Sequence, residues 1–444
     1  MASNGQFSSR IGFILAAAGS AIGLGNIWGF PTQAAENGGA AFLIIYLLLV
    51  FVLAYPMLVV EMTIGRYGQG DPIKSLRSIL PKCKLIGTSL GIVALMAAAG
   101  ILSFYAILSG WLVAYFIAPI FSTLGLDGVA TWLQEFGLAR NLIFMSAFML
   151  LTILVVKNGV ADGIERWSVR LMPLLLVLFV VLIGYILMQD GAEEGLNMYL
   201  IPNWSHISPT LMVKAMGQAF FSLSLGTCSI MVYGSYLQKD ANIPKTGAQV
   251  ALLDTGVAFL AGLLILPAMF VAQKHGVTIY DGAGQLISSG SLVFDVLPAM
   301  FKTMGVMGNF VAMIFFFLMV IAALTSSISM LEIPISTAIH QQHRSRTRST
   351  WSIGLLITFL SAIIIFNFST LFGLVIKITT QYAQPLLSLC YALLLGWVWY
   401  RKSVLEEIKQ GYPEVEKGVF WKIWPWYIRI VCPVLMAMVF VSSS

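Results

Sequence analysis

The sequence predicts an all-α membrane protein with eleven transmembrane helices. Of its 444 residues, 59% are hydrophobic and only 10% are charged, whereas about a quarter of the residues in soluble domains are charged. The mean hydropathy is +0.89. The uncharged runs often reach about 20 residues, long enough to cross a hydrocarbon core about 30 Å thick as a helix. The composition therefore excludes a soluble globular protein.

Eleven apolar runs are the predicted helices. They cover, in chain order, about residues 11–35, 40–64, 86–120, 141–156, 171–189, 207–237, 247–273, 305–339, 351–366, 372–399 and 424–441. Helices are predicted because a chain in lipid must satisfy its backbone polar groups within the segment. The loops between the runs are too short to form a second domain, so one integral domain is expected over residues 1–444. The first ten residues lack the basic cluster of a signal peptide, so the first helix is expected to be retained.

The distribution of Lys and Arg predicts the orientation in the membrane. With a cytoplasmic N-terminus, nineteen of these residues fall on the inner side and four on the outer side, as the positive-inside rule requires. An odd helix count then places the C-terminus outside. Because this asymmetry accounts for the net charge of +6, no nucleic-acid partner is predicted.

Two predicted helices are interrupted by small and polar residues. The first contains the run Gly19–Asn26 and the sixth contains Ser222–Thr227. Two interruptions with four helices between them are typical of two five-helix repeats whose first helices are both broken, and an odd number of helices makes the repeats inverted. The repeats would cover about 10–189 and 207–399, followed by an extra helix at about 424–441. Alternatively, the small residues serve close helix packing.

A broken helix at mid-membrane exposes carbonyl and amide groups that need polar partners. Carbonyls at a helix C-terminal end bind cations, and amides at an N-terminal end bind anions, so a zwitterionic amino acid with a monovalent cation fits such a site. Thr325, Ser326 and Ser327 supply hydroxyls in the eighth helix, where Thr325 and Ser326 could complete a sodium site with carbonyls of the first break. The alternative is that these hydroxyls bond back to the preceding helical turn.

Asp254 is a carboxylate inside the seventh helix. A charge at the bilayer centre costs about 2.5 to 3.5 kcal/mol unless it is paired or faces a cavity. The segment from Gln249 to Gln273 contains no Lys or Arg, so a bound cation is favoured over an ion pair. Glu61, Glu332 and Lys377 raise the same question and are interpreted as members of structural networks.

Four segments carry a resemblance to the neurotransmitter:sodium symporter family, and to its bacterial amino-acid branch in particular. They are RIGFILAAAGSAIGLGNIWGFPTQAAENGG (10–39), EMTIGRYG (61–68), GQAFFSLSLG (217–226) and ALTSSISMLE (323–332). The resemblance implies a sodium-coupled symporter in the plasma membrane of a bacterium, importing hydrophobic and aromatic L-amino acids by alternating access. It also implies that two Na⁺ ions and the substrate bind at the midplane of two inverted repeats.

The resemblance further implies which residues bind each ligand. The first sodium ion would be bound, together with the substrate carboxylate, by Ala21, Asn26, Ser222 and Asp254. The second would be bound by Gly19, Ile22, Ala322, Thr325 and Ser326. The substrate carboxylate would rest on the backbone of Ala21, Gly23, Leu24 and Gly25 and on the Tyr105 hydroxyl. The substrate side chain would face Ile101, Phe221, Ser224, Thr227, Ile230, Ser327 and Met330.

Departures from the family pattern carry further expectations. Asp254 replaces the usual Asn and would supply the charge that chloride provides elsewhere, so chloride independence is expected. Gly29 replaces the arginine of the outer gate, and residues 372–399 contain no acid, so outer closure would depend on aromatic residues such as Tyr105 and Phe221. Thr227 replaces a bulkier aromatic residue and would leave room for large substrate side chains.

On the inner side, Arg10 matches the gate arginine, but His340 stands at the usual acidic position, which leaves the inner gate open to question. Between Gly163 and Pro173 the fifth helix either unwinds to admit water to the second sodium ion or is simply kinked at its start. An amino-acid sensor or a channel on the same fold is the alternative function. An intramembrane enzyme is disfavoured, because the four histidines lie at predicted helix ends or in loops. The sequence leaves the oligomeric state open.

Overall fold

The computed structural model describes residues 5–280, 286 and 292–443. Within these residues the chain is helical and forms no β-strand, apart from an isolated antiparallel bridge between Tyr280 and Leu286. The prediction of an all-α protein is confirmed.

Eleven helical segments, named α1 to α11 in chain order, correspond in position to the predicted runs. Their bounds are Arg10–Ala21 and Gly25–Glu36 for the two halves of α1, Ala40–Gly68 for α2, Lys84–Thr123 for α3, Leu138–Val156 for α4, Val160–Leu187 for α5, Pro209–Ser222 and Ser229–Ser235 for the two halves of α6, Ile243–Lys274 for α7, Gly305–Gln342 for α8, Arg346–Phe366 for α9, Phe368–Val398 for α10 and Val419–Ser443 for α11. Shorter helices lie outside the spans, at Pro72–Ile79, Asp127–Gln134, Ala192–Leu200, Leu297–Thr303 and Arg401–Lys409.

Eight of these spans are unbroken helices long and apolar enough to cross a membrane. The other three are α1, α6 and α10. The halves of α1 are bent by 57° at their break, and α10 turns by 102° into the short helix Arg401–Lys409. By length and composition the described residues thus give eight to ten candidate spans. The two halves of α6, with 14 and 7 residues, are not among them, so the count of eleven stays a prediction.

Polar residues cap the starts of several spans. The Ser9 hydroxyl accepts from the Gly12 amide at 2.9 Å at the start of α1, and the Ser208 hydroxyl accepts from Leu211 at 3.1 Å at the start of α6. The Asn242 side chain does the same for α7, accepting from Lys245 at 3.0 Å. Such caps satisfy amides that have no partner within the helix. They fix where the two broken helices begin.

Two of the intramembrane charges singled out in the sequence take part in hydrogen-bonded networks. The Glu332 carboxylate, on α8, forms an ion pair with Arg346 at 2.5 Å and accepts from the Tyr236 hydroxyl at 2.7 Å. Glu61, on α2, accepts from the Gly226 amide at 2.6 Å. The Lys377 ammonium instead lies 5.8 Å from the centroid of the Tyr382 ring. The Glu61 contact ties the break of α6 to α2, and the Glu332 contact ties the end of its second half to α8.

Candidate functional site

The break in α1 is enclosed by α3 and α8. A Cβ atom on Gly23 would lie 2.7 Å from the Ser326 Oγ and 2.8 Å from the Tyr105 hydroxyl, so only glycine fits at this point. Such a close approach is one of the uses of glycine. The unwound backbone of α1 is therefore held against hydroxyl groups of two other helices.

The break in α6 contains three residues with positive φ. They are Ser224 at 51°, Gly226 at 82° and Cys228 at 66°. Non-glycine residues in this region cost of the order of 1 kcal/mol or more and persist only where the surroundings impose them. The hydrogen bond from the Gly226 amide to Glu61 is one such constraint. Both expected interruptions are thus present.

Asp254 meets both breaks. The Asn26 side-chain amide donates to Asp254 Oδ1 at 2.8 Å and to the Ser222 hydroxyl at 2.8 Å. The Ser222 hydroxyl donates to Asp254 Oδ2 at 2.7 Å, and Tyr46 contributes its hydroxyl to Ser222 at 3.1 Å. Asp254 is fully buried and forms no ion pair with Lys or Arg in the part of the chain that the structure describes. The cluster thus offers several oxygen atoms and a buried carboxylate that no Lys or Arg side chain among the described residues neutralises. A hard monovalent cation would satisfy these groups.

A second oxygen cluster lies between α1 and α8. The Ser326 hydroxyl donates to the Ile22 carbonyl at 3.0 Å and lies 3.2 Å and 3.5 Å from the carbonyl oxygens of Ser20 and Gly19. Thr325 donates instead to its own helix, at the Ala322 carbonyl, 3.0 Å away. Ser326 therefore contacts carbonyls of the first break, whereas Thr325 bonds back to the preceding turn of its own helix. The five residues expected at the second sodium site lie together.

A cavity of about 40 Å³ lies beside the two breaks. It is lined by Ala21, Gly23, Leu24, Gly25, Ile101, Phe104, Tyr105, Phe221, Ser224, Thr227, Ser326, Met330 and Gln384. Most of the expected substrate residues are in this lining. Ile230 and Ser327 are not, although both are fully buried.

Two lining residues were not expected from the sequence. Phe104 lies three positions after Ile101 and next to Tyr105, so the helical spacing of α3 could have indicated it. Gln384 is a polar residue within the apolar span α10, a pattern that marks functional positions in membranes. The side-chain carbonyl oxygen of Gln384 is buried and has no hydrogen-bond partner among the described residues. The Ser327 hydroxyl oxygen is likewise buried and has no hydrogen-bond partner among them.

The polar end of the cavity carries backbone groups of α1. The Leu24 amide donates to the Tyr105 hydroxyl at 3.2 Å, and the Gly25 carbonyl accepts from the Gln218 side chain at 2.8 Å. The Thr227 hydroxyl, on the opposite side, donates to the Ser224 carbonyl at 2.7 Å. Hydrogen bonds of the cavity lining are thus concentrated at the two breaks, and the remaining walls are mainly apolar.

An aromatic cluster covers the α1–α3–α10 side of the cavity. The Trp111 ring packs on Phe294 at 5.6 Å and on Phe372 at 6.3 Å between centroids. Phe294 contacts Trp28, next to Gly29, at 5.7 Å, and Phe372 contacts Phe104 at 6.2 Å. Aromatic rings thus connect α1, α3 and α10 beside the cavity, which is compatible with the expected closure by aromatic residues.

The two aromatic residues expected to close the cavity differ in exposure. Tyr105 is buried, but Phe221 is 41% exposed. Its ring packs so close to Gly25 that a Cβ atom there would lie 3.1 Å away. The cavity is therefore still open beside Phe221.

The opposite end of α1 is fixed by Glu165, at the start of α5. Its carboxylate accepts from the Ser8 amide at 2.6 Å and from the hydroxyls of Ser8 and Ser9, both at 2.8 Å. Arg10 donates to Gln249 at 2.9 Å, whereas the His340 ring lies 2.8 Å from the Ser336 carbonyl of its own helix. The segment Val160–Glu165 is a π-helical turn that continues into the helix, so the start of α5 is wound in this structure.

Comparison with known proteins gives consistent results. A family model described as "Sodium:neurotransmitter symporter family" matches residues 4–137 and 128–444. The sodium-dependent transporter YhdH of Bacillus subtilis is 34% identical, over 98% of this chain and 97% of that protein. The sodium- and chloride-dependent GABA transporter 2 of Homo sapiens is 24% identical, over 95% of this chain and 76% of that protein.

A solved structure is similar over nearly the whole length. The crystal structure of MhsT in complex with L-phenylalanine is 35% identical to this chain, with a TM-score of 0.83 and 99% of each chain covered. The overall fold is therefore shared with that solved structure.

Proposed function

Because the chain belongs to the sodium:neurotransmitter symporter family, we propose that it imports hydrophobic and aromatic L-amino acids together with two sodium ions. The family makes it a sodium-dependent membrane transporter and not an enzyme. The observation that carries the proposal is the buried Asp254 carboxylate, hydrogen-bonded to both broken helices and without a cationic partner among the described residues.

Two oxygen clusters support two ions. The first is formed by Asn26, Ser222 and Asp254, with the Ala21 carbonyl expected to join it, and the second surrounds Ser326. Two charges that cross a potential of 100 mV gain about 4.6 kcal/mol. That energy is available to concentrate a neutral zwitterion against its gradient.

The lining of the cavity offers groups suited to the carboxylate and to the side chain of a hydrophobic amino acid. The Leu24 amide and the Tyr105 hydroxyl already bond to each other and would both turn to a substrate carboxylate, which would also complete the first sodium site. Apolar walls formed by Ile101, Phe104 and Met330 suit a hydrophobic side chain. The bound L-phenylalanine of the similar MhsT structure supports this substrate class.

The Asp254 carboxylate is the group that would supply the negative charge that chloride provides elsewhere in the family. The hydrogen bonds that the Asp254 carboxylate accepts from Asn26 and Ser222 favour its charged form, and a bound sodium ion would favour it further. We therefore propose that transport is independent of chloride, in contrast to the human relative, whose name includes chloride.

The N-terminus is proposed to lie in the cytoplasm. Arg10 begins α1, Arg66 lies near the end of α2 and Arg346 begins α9, so all three would lie on the side of the membrane that holds the N-terminus. The positive-inside rule assigns that side to the cytoplasm. Repeat one would cover about 10–189, repeat two about 207–399, and α11 would be the extra helix.

A stability screen tests the substrate class. Each of the twenty amino acids is added to the purified protein, in sodium chloride and in choline chloride, and the unfolding temperature is measured. Stabilisation by Phe, Trp, Tyr, Leu and Ile in sodium only is expected, since ligands that bind the native state raise its stability. Stabilisation by polar amino acids alone, or equal stabilisation without sodium, would contradict the proposal.

A further inference from the structure

A second cavity, of about 60 Å³, lies where α10 ends and α11 begins. Its lining includes the aromatic residues Trp399, Trp421, Trp424 and Trp426 and the cationic residues Arg401 and Arg429. It is formed by other elements than the transport cavity. None of its lining residues takes part in the transport site.

The two guanidinium groups lie over tryptophan rings. The Arg429 Cζ is 4.1 Å from the centroid of Trp397 and 5.7 Å from that of Trp426. The Arg401 Cζ is 5.5 Å from Trp421 and 5.9 Å from Trp426. The rings stabilise the charge through their faces and leave the N–H groups at the edge of each guanidinium available.

Neither arginine has an anionic partner in the described part of the chain. The nearby carboxylates belong to other pairs: Glu407 with Arg66 at 2.6 Å, Glu416 with Lys409 at 2.5 Å and Glu414 with Lys417 at 3.2 Å. The fourth, Glu406, is exposed and forms no ion pair. The cavity therefore contains two guanidinium groups, and their ten N–H donors can bind acceptor oxygens of a ligand.

The position of Arg429 makes the missing anion significant. A Cβ atom on Gly396 would lie 2.9 Å from the Arg429 Cα, so Arg429 lies beside the end of α10 at Val398. A cation near the end of a span is accommodated when it reaches the interface and pairs with an anion there. The surrounding tryptophans are typical of the interfacial belt, so the natural source of an anion at this level is a lipid headgroup.

We propose that this cavity binds the phosphate group of an anionic phospholipid from the membrane leaflet on the side of the N-terminus. Arg401 and Arg429 donate to the phosphate oxygens, and the tryptophan rings hold both guanidinium groups in place. Basic pockets between transmembrane helices on the cytoplasmic side bind headgroups in this way. The bound lipid would link the end of α10 to α11.

Native mass spectrometry of the detergent-purified protein tests the site, with phosphatidylglycerol and phosphatidylcholine as probes. The variant Arg401→Gln/Arg429→Gln should bind phosphatidylglycerol about 25-fold more weakly, at roughly fivefold for each arginine. Binding of phosphatidylcholine, whose phosphate charge is offset by the choline ammonium, should be weaker than that of phosphatidylglycerol in the unaltered protein and should fall by a smaller factor in the variant. The matched control is Lys402→Gln/Lys422→Gln, which removes two exposed cations nearby that do not line the cavity, and it should change binding less than twofold.

Several outcomes overturn the proposal. Equal losses in the two double variants would assign the effect to general surface charge, and no loss in the arginine variant would exclude the site. Displacement of phosphatidylglycerol by inorganic phosphate at equal concentration would assign the cavity to a soluble anion instead. If the arginine variant does not fold, Arg401→Gln alone carries the test, because that side chain is exposed, with a fivefold loss expected.

Discussion

Asn26, on α1, and Asp254, on α7, are joined by a hydrogen bond of 2.8 Å, although 228 positions separate them in the chain. The same Asn26 amide group reaches the Ser222 hydroxyl at the end of the first half of α6. A single buried cluster thus connects both broken helices to an intact one. A cation bound there would stabilise all three helices in one arrangement, and its release would free them.

Removal of the charge from that cluster should weaken sodium binding. In Asp254→Asn the loss of a charged partner costs about 2 kcal/mol, so roughly 30 times more sodium should be needed for half-maximal uptake of Phe. Chloride should then partly restore uptake, while the unaltered protein transports equally in chloride and in gluconate. Uptake measured in both salts at several sodium concentrations gives the answer. A normal sodium requirement in the variant would contradict the assignment of Asp254.

The Ser326 hydroxyl should matter more than other hydroxyls of α8. Ser326→Ala removes the group that reaches the Ile22 carbonyl, so sodium should stabilise the variant less against heat. Ser336→Ala is the matched control, because its buried hydroxyl bonds only to the Ile333 carbonyl of the same helix. The unfolding temperature with and without sodium is measured for both. Identical sodium effects in the two variants would argue against a second ion beside Ser326.

Pocket size at Thr227 should set the preference among substrates. Thr227→Phe adds a ring to the cavity lining, and overpacking of this kind costs about 1 to 3 kcal/mol. Uptake of Trp should therefore fall about tenfold relative to uptake of Leu. The ratio of the two initial rates is the measurement, since it is independent of expression level. An unchanged ratio would place Thr227 away from the substrate side chain.

The hydrogen bonds between Glu165 and Ser8 and Ser9 should restrain the first half of α1. Glu165→Gln weakens hydrogen bonds to Ser8 and Ser9 that a charged acceptor strengthens, at a cost of about 1 to 2 kcal/mol. Backbone amides of residues 10–21 should exchange with deuterium about tenfold faster. Asp162→Asn, an exposed change in the same turn, is the control and should leave exchange unaltered. Equal exchange in all three proteins would show that Glu165 does not restrain α1.

Local composition was sufficient to predict the spans and both breaks, because apolar runs and small polar residues act within one helix. It also indicated Asp254, whose charge is anomalous in its own segment. It missed the partners of Glu165, which lies 157 positions from Ser8, and the packing of Trp111 on Phe294. Such contacts depend on how distant helices meet, and one helix's periodicity carries no information on that. The resemblance to a family led to Arg10 and His340 but not to Glu165.

The most direct test of the central claim is accumulation of labelled L-phenylalanine in proteoliposomes that contain only this protein. With sodium outside, a negative interior and gluconate as the anion, the internal concentration should rise well above the external one and collapse when sodium is replaced by choline. A sensor would bind the label without concentrating it, and a channel would only equalise the two concentrations. Either of those results would contradict sodium-coupled import.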